Sequence, residues 1–258
     1  MAPRIEIDGQ RPSAQSMSAA ILAGYGHFTA LQVRDHRVRG LALHLARLDT
    51  ANRELFGQEL DGDRVCQLIR HALGPETPDA SVRVHVQELD PEDGPSVMVI
   101  IRPPGGLPGA TFRLQSVPYQ RSLAHIKHIG DFGQTYYHRF AVRNGFDEAL
   151  LTGPDGAVSE GALCNVGFFD GTEVIWPAAP LLTGTTMALI DANLASHGMS
   201  SRRQEIRLAD VGTFTSAFIT SSRGIAPVTG LDGEPVPVDA AFMKTLTGIY
   251  DAVPWDPF

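Results

Sequence analysis

The stretch GFDEALLTGPDGAVSEGALCN, residues Gly145–Asn165, alternates short apolar runs with turn residues. Two β-type runs flank Pro154-Asp155-Gly156, which is typical of a tight turn, and together they predict a β-hairpin. The second run carries Glu160, at the point where that run meets the next turn. The residues on either side of this hairpin indicate which chemistry Glu160 serves.

Upstream of the hairpin, the segment Ser122–Gly130 (SLAHIKHIG) contains Lys127, one of two lysines in a chain that otherwise uses arginine. The segment follows a β-type run and precedes a helix predicted over 131–144. A lysine attacks a carbonyl only when its amine is deprotonated. The apolar neighbours Ile126 and Ile129 and the two adjacent histidines favour a lowered lysine pKa, through desolvation and nearby positive charge.

Downstream, the sequence LLTGTTMALI predicts a helix over 185–198 that begins after Gly184. The backbone N–H groups of Thr185 and Thr186 at such a helix N-terminus form an anion site. Pyridoxal phosphate requires an amine, an anion site, an arginine that grips the phosphate and a carboxylate that keeps the pyridine nitrogen protonated. The sequence supplies this set and therefore favours pyridoxal-phosphate chemistry.

The first 103 residues have the pattern of a small α+β domain. Its predicted elements are a strand (Arg4–Ile7), a small-residue loop to residue 20, a hairpin over 27–40, helices over 41–57 and 61–74, and strands over 81–89 and 96–103. Prolines and glycines mark an interdomain linker at 104–110. Residues 111–258 are predicted to form the larger, cofactor-binding domain, with a last helix over 238–250.

The composition is that of a globular protein, since 43% of the residues are hydrophobic and 19% are charged. A net charge of −8 argues against a nucleic-acid partner. The sequence has no long apolar run and no signal peptide, so we expect a cytoplasmic protein that does not bind membranes. His125, His128 and His138 lack the spacing of a metal motif, so we expect no metal.

Several short motifs occur in the order and spacing of the class IV aminotransferases, and the chain resembles this family. Its members are pyridoxal-phosphate enzymes and include branched-chain and D-amino acid aminotransferases and aminodeoxychorismate lyase. The resemblance implies an α+β / α/β, two-domain fold type IV enzyme, similar to D-amino acid aminotransferase, and a homodimer. The matching positions are His44, Arg47-Leu48, Gly145, Asp147–Leu150, Asp155-Gly156, Val158–Gly161, Asn165 and Gly184–Thr186, with Phe218–Val228 as the last cofactor-contacting segment.

The resemblance also implies a role for each matched residue. Lys127 is the catalytic residue, which forms the Schiff base and moves the substrate α-proton. Glu160 pairs with the pyridine nitrogen. The other residues implied to bind the cofactor are Arg47, Asn165, Thr185, Thr186, Ser221 and Ser222.

Three positions depart from the family pattern, and the first of them concerns specificity. Tyr25 replaces the acid of a G-D-G-x-F stretch that shapes the substrate pocket, and the resemblance assigns Tyr25, His27 and Thr29 to the substrate. Phe132 stands where branched-chain aminotransferases place a tyrosine, so a hydroxyl that tunes the cofactor O3′ is missing. Met187 replaces the arginine of G-I-T-R, but the phosphate cradle uses backbone N–H groups and is unaffected.

The resemblance leaves three activities open. The first is transamination, in which an amino group moves from an amino acid or amine to a 2-oxo acid, and we favour it because it is the commoner activity in the family. The second is a lyase reaction of the aminodeoxychorismate type, which the same residues serve. The third is a non-catalytic binding protein on the same scaffold, to which the altered stretch at Tyr25 points.

Overall fold

The computed structural model describes residues 3–90, 94–107 and 109–258. Residues 91–93, and residue 108 within the predicted linker, lie outside the described residues. The strands are β1 (Arg4–Ile7), β2 (Gly26–Val33), β3 (Arg37–Arg39), β4 (Ala80–Asp90), β5 (Gly94–Arg102), β6 (Phe112–Pro118), β7 (Glu148–Thr152), β8 (Val158–Gly161), β9 (Asn165–Phe169), β10 (Glu173–Pro177), β11 (Ser200–Gln204), β12 (Ser216–Ser221), β13 (Gly224–Leu231), β14 (Glu234–Pro235) and β15 (Trp255–Pro257). The α-helices are α1 (Ala14–Ala23), α2 (Leu41–Phe56), α3 (Gly62–Leu73), α4 (Phe132–Arg143), α5 (Thr185–Asn193) and α6 (Ala240–Asp251).

The chain forms two compact units. The first unit comprises Met1–Gly105, Ile126–Gly130 and Pro254–Phe258. The second comprises Gly106–His125 and Asp131–Val253. The segment that carries Lys127 is therefore part of the first unit, whereas the chain immediately before and after it is part of the second. The predicted domain limits, 1–103 and 111–258, are continuous in sequence and remain a prediction.

The first unit is built on an antiparallel sheet in the order β1-β5-β4-β2. Successive side chains of a strand point to opposite faces, so alternate residues of β2 and β4 meet helices α2 and α3. This core is made of aliphatic residues that are almost fully buried, among them Leu31, Leu48, Ile69, Val84 and Val86. The helices predicted over 41–57 and 61–74 are confirmed, and each is followed by a glycine.

Helix α1 occupies the region where the sequence predicts a loop up to residue 20, so that prediction is wrong. Ser13 caps the helix, with its Oγ accepting from Ser16 N at 3.1 Å, and Gly24 ends it in the left-handed conformation. None of the residues of α1 is buried. Met17 and Ala20 pack as partly buried residues against a neighbouring apolar cluster. The apolar stripe of the helix is therefore narrow, which makes the helix difficult to recognise from sequence.

The segment Ile126–Gly130 is held against the outer edge of β2 by backbone hydrogen bonds. Phe28 N donates to Lys127 O at 2.8 Å, and Ile129 N donates to Gly26 O at 3.0 Å. Ile126 is buried beside this pairing. Because one of these bonds is made by the carbonyl of Lys127 itself and the other by Ile129, the backbone of the lysine is positioned by a strand.

The second unit is built on a mixed sheet in the order β11-β10-β9-β12-β13-β6-β7-β8, with β14 beside β13. Helices α5 and α6 pack on it through a core that includes Trp176, Phe218 and Leu246. Helix α4 packs on β6 and β7 through a separate cluster around Ala141 and Leu151. The last helix, predicted over 238–250, is confirmed as α6.

The predicted hairpin at Pro154-Asp155-Gly156 is confirmed. Strands β7 and β8 are antiparallel, with Leu150 opposite Gly161. Gly156 has a φ of 81°, which is the conformation that favours glycine in a tight turn. The hairpin carries Glu160 into the interior of the second unit, where 5% of its surface is exposed.

The helix predicted over 185–198 is shorter than expected. Helix α5 ends at Asn193, and a separate 3₁₀ turn covers Ala195–His197. Gly198, with a φ of 71°, then ends the turn. The glycine correctly marks the end of helical structure, but the apolar spacing gives no sign of the change from α to 3₁₀ geometry before it.

A histidine–glutamate pair between α4 and β7 makes stability depend on pH. His138 Nδ1 lies 2.9 Å from Oε1 of the buried Glu148. The hydrogen bond to Glu148 raises the pKa of His138 above 6.5, although burial opposes the rise. A group with a raised folded-state pKa contributes stability that is complete below pH 6.5 and is lost as the pH rises through the raised pKa.

We therefore expect His138→Gln to lower the free energy of unfolding by about 1 kcal/mol below pH 6.5 and by clearly less at alkaline pH, measured by urea unfolding. His197→Gln is the matched control, because His197 is exposed and bonds only to its neighbours Asn193 and Ser196. An effect of His138→Gln that is the same at both pH values would contradict the prediction.

Candidate active site

Lys127 lies on one face of strand β2, next to an aromatic ring. Its Nζ is 4.8 Å from the centroid of the buried Phe28 ring. The same ring is approached by the His85 ring, with centroids 5.1 Å apart, and by Arg83 Cζ at 5.5 Å. Burial lowers the pKa of His85 to about 4, and the charge of Arg83 adds to this. At neutral pH, His85 is therefore neutral beside the Phe28 ring.

The opposite face of β2 carries His27 and Thr29, which turn toward helix α2. Thr29 Oγ1 lies 2.7 Å from His44 Nδ1, and His27 Nε2 lies 3.4 Å from Asn52 Oδ1. Burial lowers the pKa of His27 to about 4. The side chain of His27 is thus neutral and, like that of Thr29, buried within the first unit.

The three residues assigned to the substrate do not share one environment. His27 and Thr29 each expose 1% of their surface, whereas Tyr25 exposes 55%. Tyr25 Oη donates to Leu55 O at 3.3 Å and its ring meets Phe56 edge-on. Their contact with substrate remains a prediction.

Arg47 lies on α2, one turn after His44, and is half-buried. Burial, together with the charges of Arg47 and Lys127, lowers the pKa of His44 to about 3. Arg47 and Lys127 thus act on the same neutral imidazole. A cluster of positive charge with a neutral histidine is suited to an anionic ligand.

In the second unit, Glu160 is the buried carboxylate of the candidate site. Its Oε2 accepts a hydrogen bond from Leu182 N at 3.2 Å. Arg121, which the sequence reasoning missed, is also buried: burial lowers its pKa, and the charge of Glu160 opposes that shift. No sequence motif includes Arg121, and it becomes a candidate site residue because it is buried and near the charge of Glu160.

Asn165, five residues after Glu160, does not extend toward solvent. Its Nδ2 donates to Leu182 O at 2.6 Å, and its Oδ1 accepts from Gly184 N at 3.0 Å. Glu160 and Asn165 thus hold the N–H and the C=O of Leu182, just before helix α5 begins.

The N-terminus of α5 brings together the remaining candidate residues. Gly184 is the N-cap residue, and within the described part of the chain no side chain caps the helix. Thr185 and Thr186 are buried, and Thr186 Oγ1 donates to Ser221 O at 2.8 Å. Ser221 and Ser222 follow at the end of β12 and are half-buried. Three of the residues predicted to bind the cofactor, Thr185, Thr186 and Ser221, therefore lie close together.

Thr220 is a further residue that the sequence reasoning missed. It pairs with Asn165 across β12 and β9, exposes 1% of its surface, and its Oγ1 has no hydrogen-bond partner among the described residues. A buried hydroxyl without a partner indicates a site for a polar ligand. The sequence signal for Thr220 is that a polar residue directly follows the apolar residues Phe218 and Ile219.

These features fit pyridoxal phosphate. The second unit offers a buried carboxylate for a ring nitrogen, an uncapped helix N-terminus for a phosphate and an unpartnered hydroxyl beside it. The first unit offers an amine and an arginine.

A family model described as amino-transferase class IV matches residues 26–231. The chain belongs to the class IV aminotransferases. The protein is thus an enzyme of a pyridoxal-phosphate family, and pyridoxal phosphate is its cofactor.

Solved structures share the fold of this aminotransferase at low sequence identity. CpuTA1, a fold IV transaminase from Curtobacterium pusillum, is 24% identical with a TM-score of 0.79, over 90% of this chain and 88% of its own. A hypothetical aminotransferase from Mycobacterium tuberculosis, in its PLP-bound form, is 21% identical with a TM-score of 0.80, over 91% and 90%. A putative 4-amino-4-deoxychorismate lyase from Legionella pneumophila is 20% identical with a TM-score of 0.81, over 91% and 93%. These similarities confirm the expected α+β / α/β fold of type IV.

Three further searches, for related curated sequences and, within the described residues, for membrane-spanning helices and metal-binding clusters, gave no match. No curated protein sequence matches the aminotransferase significantly. None of the helices in the described ranges combines the length and the hydrophobicity that a bilayer span needs. In the same ranges, His, Cys, Asp and Glu form no group of three or more that could hold a metal ion.

Proposed function

We propose that this enzyme is a transaminase that moves an amino group from an amino acid or amine to a 2-oxo acid, with Lys127 attached covalently to the cofactor. The placement of Lys127 carries the proposal. Its segment is bonded to β2 through the carbonyl of Lys127 and the N–H of Ile129, and Lys127 Nζ lies 4.8 Å from the Phe28 ring centroid. Lys244, the other lysine, is exposed on α6.

Pyridoxal phosphate, when bound, supplies an aldehyde that condenses with amines and a protonated ring that withdraws electrons from the substrate. Lys127 Nζ would supply the amine that holds this aldehyde. As a free amine, Nζ would take up the substrate α-proton and return it. Glu160 keeps the proton on the ring nitrogen, since a buried carboxylate favours a cation beside it.

We assign the phosphate to Arg47, to the first turn of α5 and to the two serines after β12. Thr185 and Thr186 contribute backbone N–H groups, since the first turn of a helix is suited to bind an anion. The hydroxyl of Thr186 already donates to Ser221 O, so its backbone is the part assigned. Arg47 contributes a charged donor that suits phosphate geometry, and Ser221 and Ser222 contribute hydroxyls.

A lyase of the aminodeoxychorismate type is the second candidate. Removal of the α-proton precedes both reactions, so Lys127 and Glu160 serve either. The segment Arg223–Val228, RGIAPV, resembles lyase-type members, and one structural neighbour is named as a putative lyase of this kind. Because the family consists of enzymes, the non-catalytic alternative is set aside.

A product assay distinguishes the two reactions. The cofactor-loaded enzyme is incubated with several amino donors and either pyruvate or 2-oxoglutarate, and in parallel with aminodeoxychorismate alone. We expect a new amino acid to form from the 2-oxo acid, in an amount equal to the donor consumed. Release of p-aminobenzoate and pyruvate without any acceptor, and no transfer to either 2-oxo acid, would contradict transamination and establish the lyase.

We further propose that the enzyme is a cytoplasmic homodimer. The resemblance to the class IV aminotransferases supports this proposal. Light scattering coupled to gel filtration of the cofactor-loaded enzyme measures the mass directly. A mass of one chain, 27.8 kDa, would contradict the dimer.

A further inference from the structure

We infer that Asn165 is a positioning residue: its side-chain amide fixes the segment Leu182–Gly184 in the shape from which helix α5 starts, and so controls how tightly the phosphate is held. This differs from the direct cofactor contact that the family resemblance implies for Asn165. The inference rests on the proposed function, because it takes the N-terminus of α5 as the phosphate site.

The hydrogen bonds of Asn165 are the first support. Its Nδ2 donates to Leu182 O at 2.6 Å, and its Oδ1 accepts from Gly184 N at 3.0 Å. The amide thus pairs with a carbonyl and an N–H two residues apart, as a neighbouring strand would. Asn165 exposes 5% of its surface, so water does not replace these bonds readily when they are lost.

The lack of a side chain at residue 184 is the second support. Gly184 has φ −67° and ψ 147°, a conformation that every residue adopts, so the backbone does not require glycine there. A Cβ on residue 184 would lie 2.1 Å from Asn165 Oδ1 and 3.3 Å from its Cγ. Glycine is therefore needed at this position for the close approach of the Asn165 amide.

The same segment is also tied to Glu160. Leu182 N donates to Glu160 Oε2 at 3.2 Å, while Leu182 O accepts from Asn165. The peptide groups of Leu182 are thus held by the residue proposed for the ring nitrogen and by the residue that fixes the start of α5. On the other side of the helix start, Thr186 Oγ1 donates to Ser221 O at 2.8 Å.

We expect a loss of affinity that depends on whether the ligand carries a phosphate group. A helix N-terminus binds an anion well only when its N–H groups converge, and loosening Gly184 disturbs that arrangement. Asn165→Ala leaves a buried carbonyl and a half-buried N–H without their partner, so we expect pyridoxal phosphate affinity to fall about tenfold to a hundredfold. Pyridoxal, which has no phosphate, is expected to bind within about twofold of wild type, since its ring does not use α5.

The experiment uses the full chain stripped of cofactor, and titrates pyridoxal phosphate and pyridoxal by protein fluorescence. Asn193→Ala is the matched control, because Asn193 also donates to a backbone carbonyl, Leu189 O at 2.8 Å, but at the other end of α5. The control is expected to bind both ligands like wild type.

Gly184→Ala tests the same contact from the other side, and it applies even where Asn165→Ala does not fold. Its methyl group displaces the Asn165 amide, so it should lower affinity for the phosphate ester and spare pyridoxal. The double variant should bind no more weakly than the weaker single variant, because both changes break one contact.

Two results would overturn the inference: wild-type affinity for pyridoxal phosphate in Asn165→Ala, or an equal loss for pyridoxal and its phosphate ester, which would indicate a direct ring contact. Failure of the proposed function is distinct from both. In that case the wild-type protein itself would not bind pyridoxal phosphate, or would bind it without attachment to Lys127.

Discussion

Lys127→Ala is expected to lower kcat by at least about a thousandfold, because it removes both the amine that bonds to the cofactor and the group that carries the proton. The folded chain should survive the change. Lys127 is half-buried, and the bonds that hold its segment to β2 are made by the backbone. Steady-state kinetics of the product assay measure the loss, and thermal unfolding checks the fold.

Lys127→Arg sharpens this test. Arginine keeps the positive charge near Phe28 and His44, but a guanidinium does not deprotonate in proteins and forms no bond with an aldehyde. We expect it to be as inactive as Lys127→Ala. Lys244→Ala, the control at the exposed lysine of α6, should keep wild-type activity. Activity of Lys127→Arg near that of wild type would show that the lysine serves only as a charge.

Glu160→Gln is the second substitution with a large expected effect. A neutral amide does not stabilise a proton on the pyridine nitrogen, so the ring withdraws electrons poorly, and we expect kcat to fall by about a hundredfold or more. A glutamine oxygen still accepts from Leu182 N, a bond that is 3.2 Å long in the wild-type enzyme. Affinity for pyridoxal phosphate should therefore change only slightly.

The control for Glu160→Gln is Glu205→Gln, which changes an exposed carboxylate of the second unit. Kinetics and cofactor titration together separate two explanations. Loss of kcat with retained affinity supports the role in proton retention. Loss of affinity with little change in kcat would show that Glu160 acts by holding Leu182 alone, and the assignment to the ring nitrogen would be wrong.

The elements defined by local signals were predictable from sequence. The hairpin at Pro154-Asp155-Gly156 follows from turn chemistry, and helix α2 follows from its apolar spacing and from Gly57 after its last residue. Helix α1 was not predictable by the same rule, because it buries no residue and is defined by the cap at Ser13. The spacing of apolar residues and the capping residue are separate signals, and at α1 the cap at Ser13 is the clearer one.

The sequence was sufficient to predict which residues form the candidate site, but not how they are arranged. The family motifs name Lys127, Glu160 and Asn165, but only the fold shows that Lys127 is bonded to β2 and that Asn165 holds backbone groups. Strand alternation alone predicts that His27 and Thr29 share the face opposite Phe28, and this signal was present in the sequence. Contacts that depend on distant segments, such as the one between Asn165 and Gly184, have no local signature.

Borohydride reduction identifies the residue that bonds to the cofactor. The enzyme loaded with pyridoxal phosphate is reduced and digested, and the peptides are analysed by mass spectrometry. We expect a phosphopyridoxyl group on Lys127 and none on Lys244. A label on Lys244, or a fully loaded enzyme with no labelled lysine, would show that Lys127 does not attach to the cofactor.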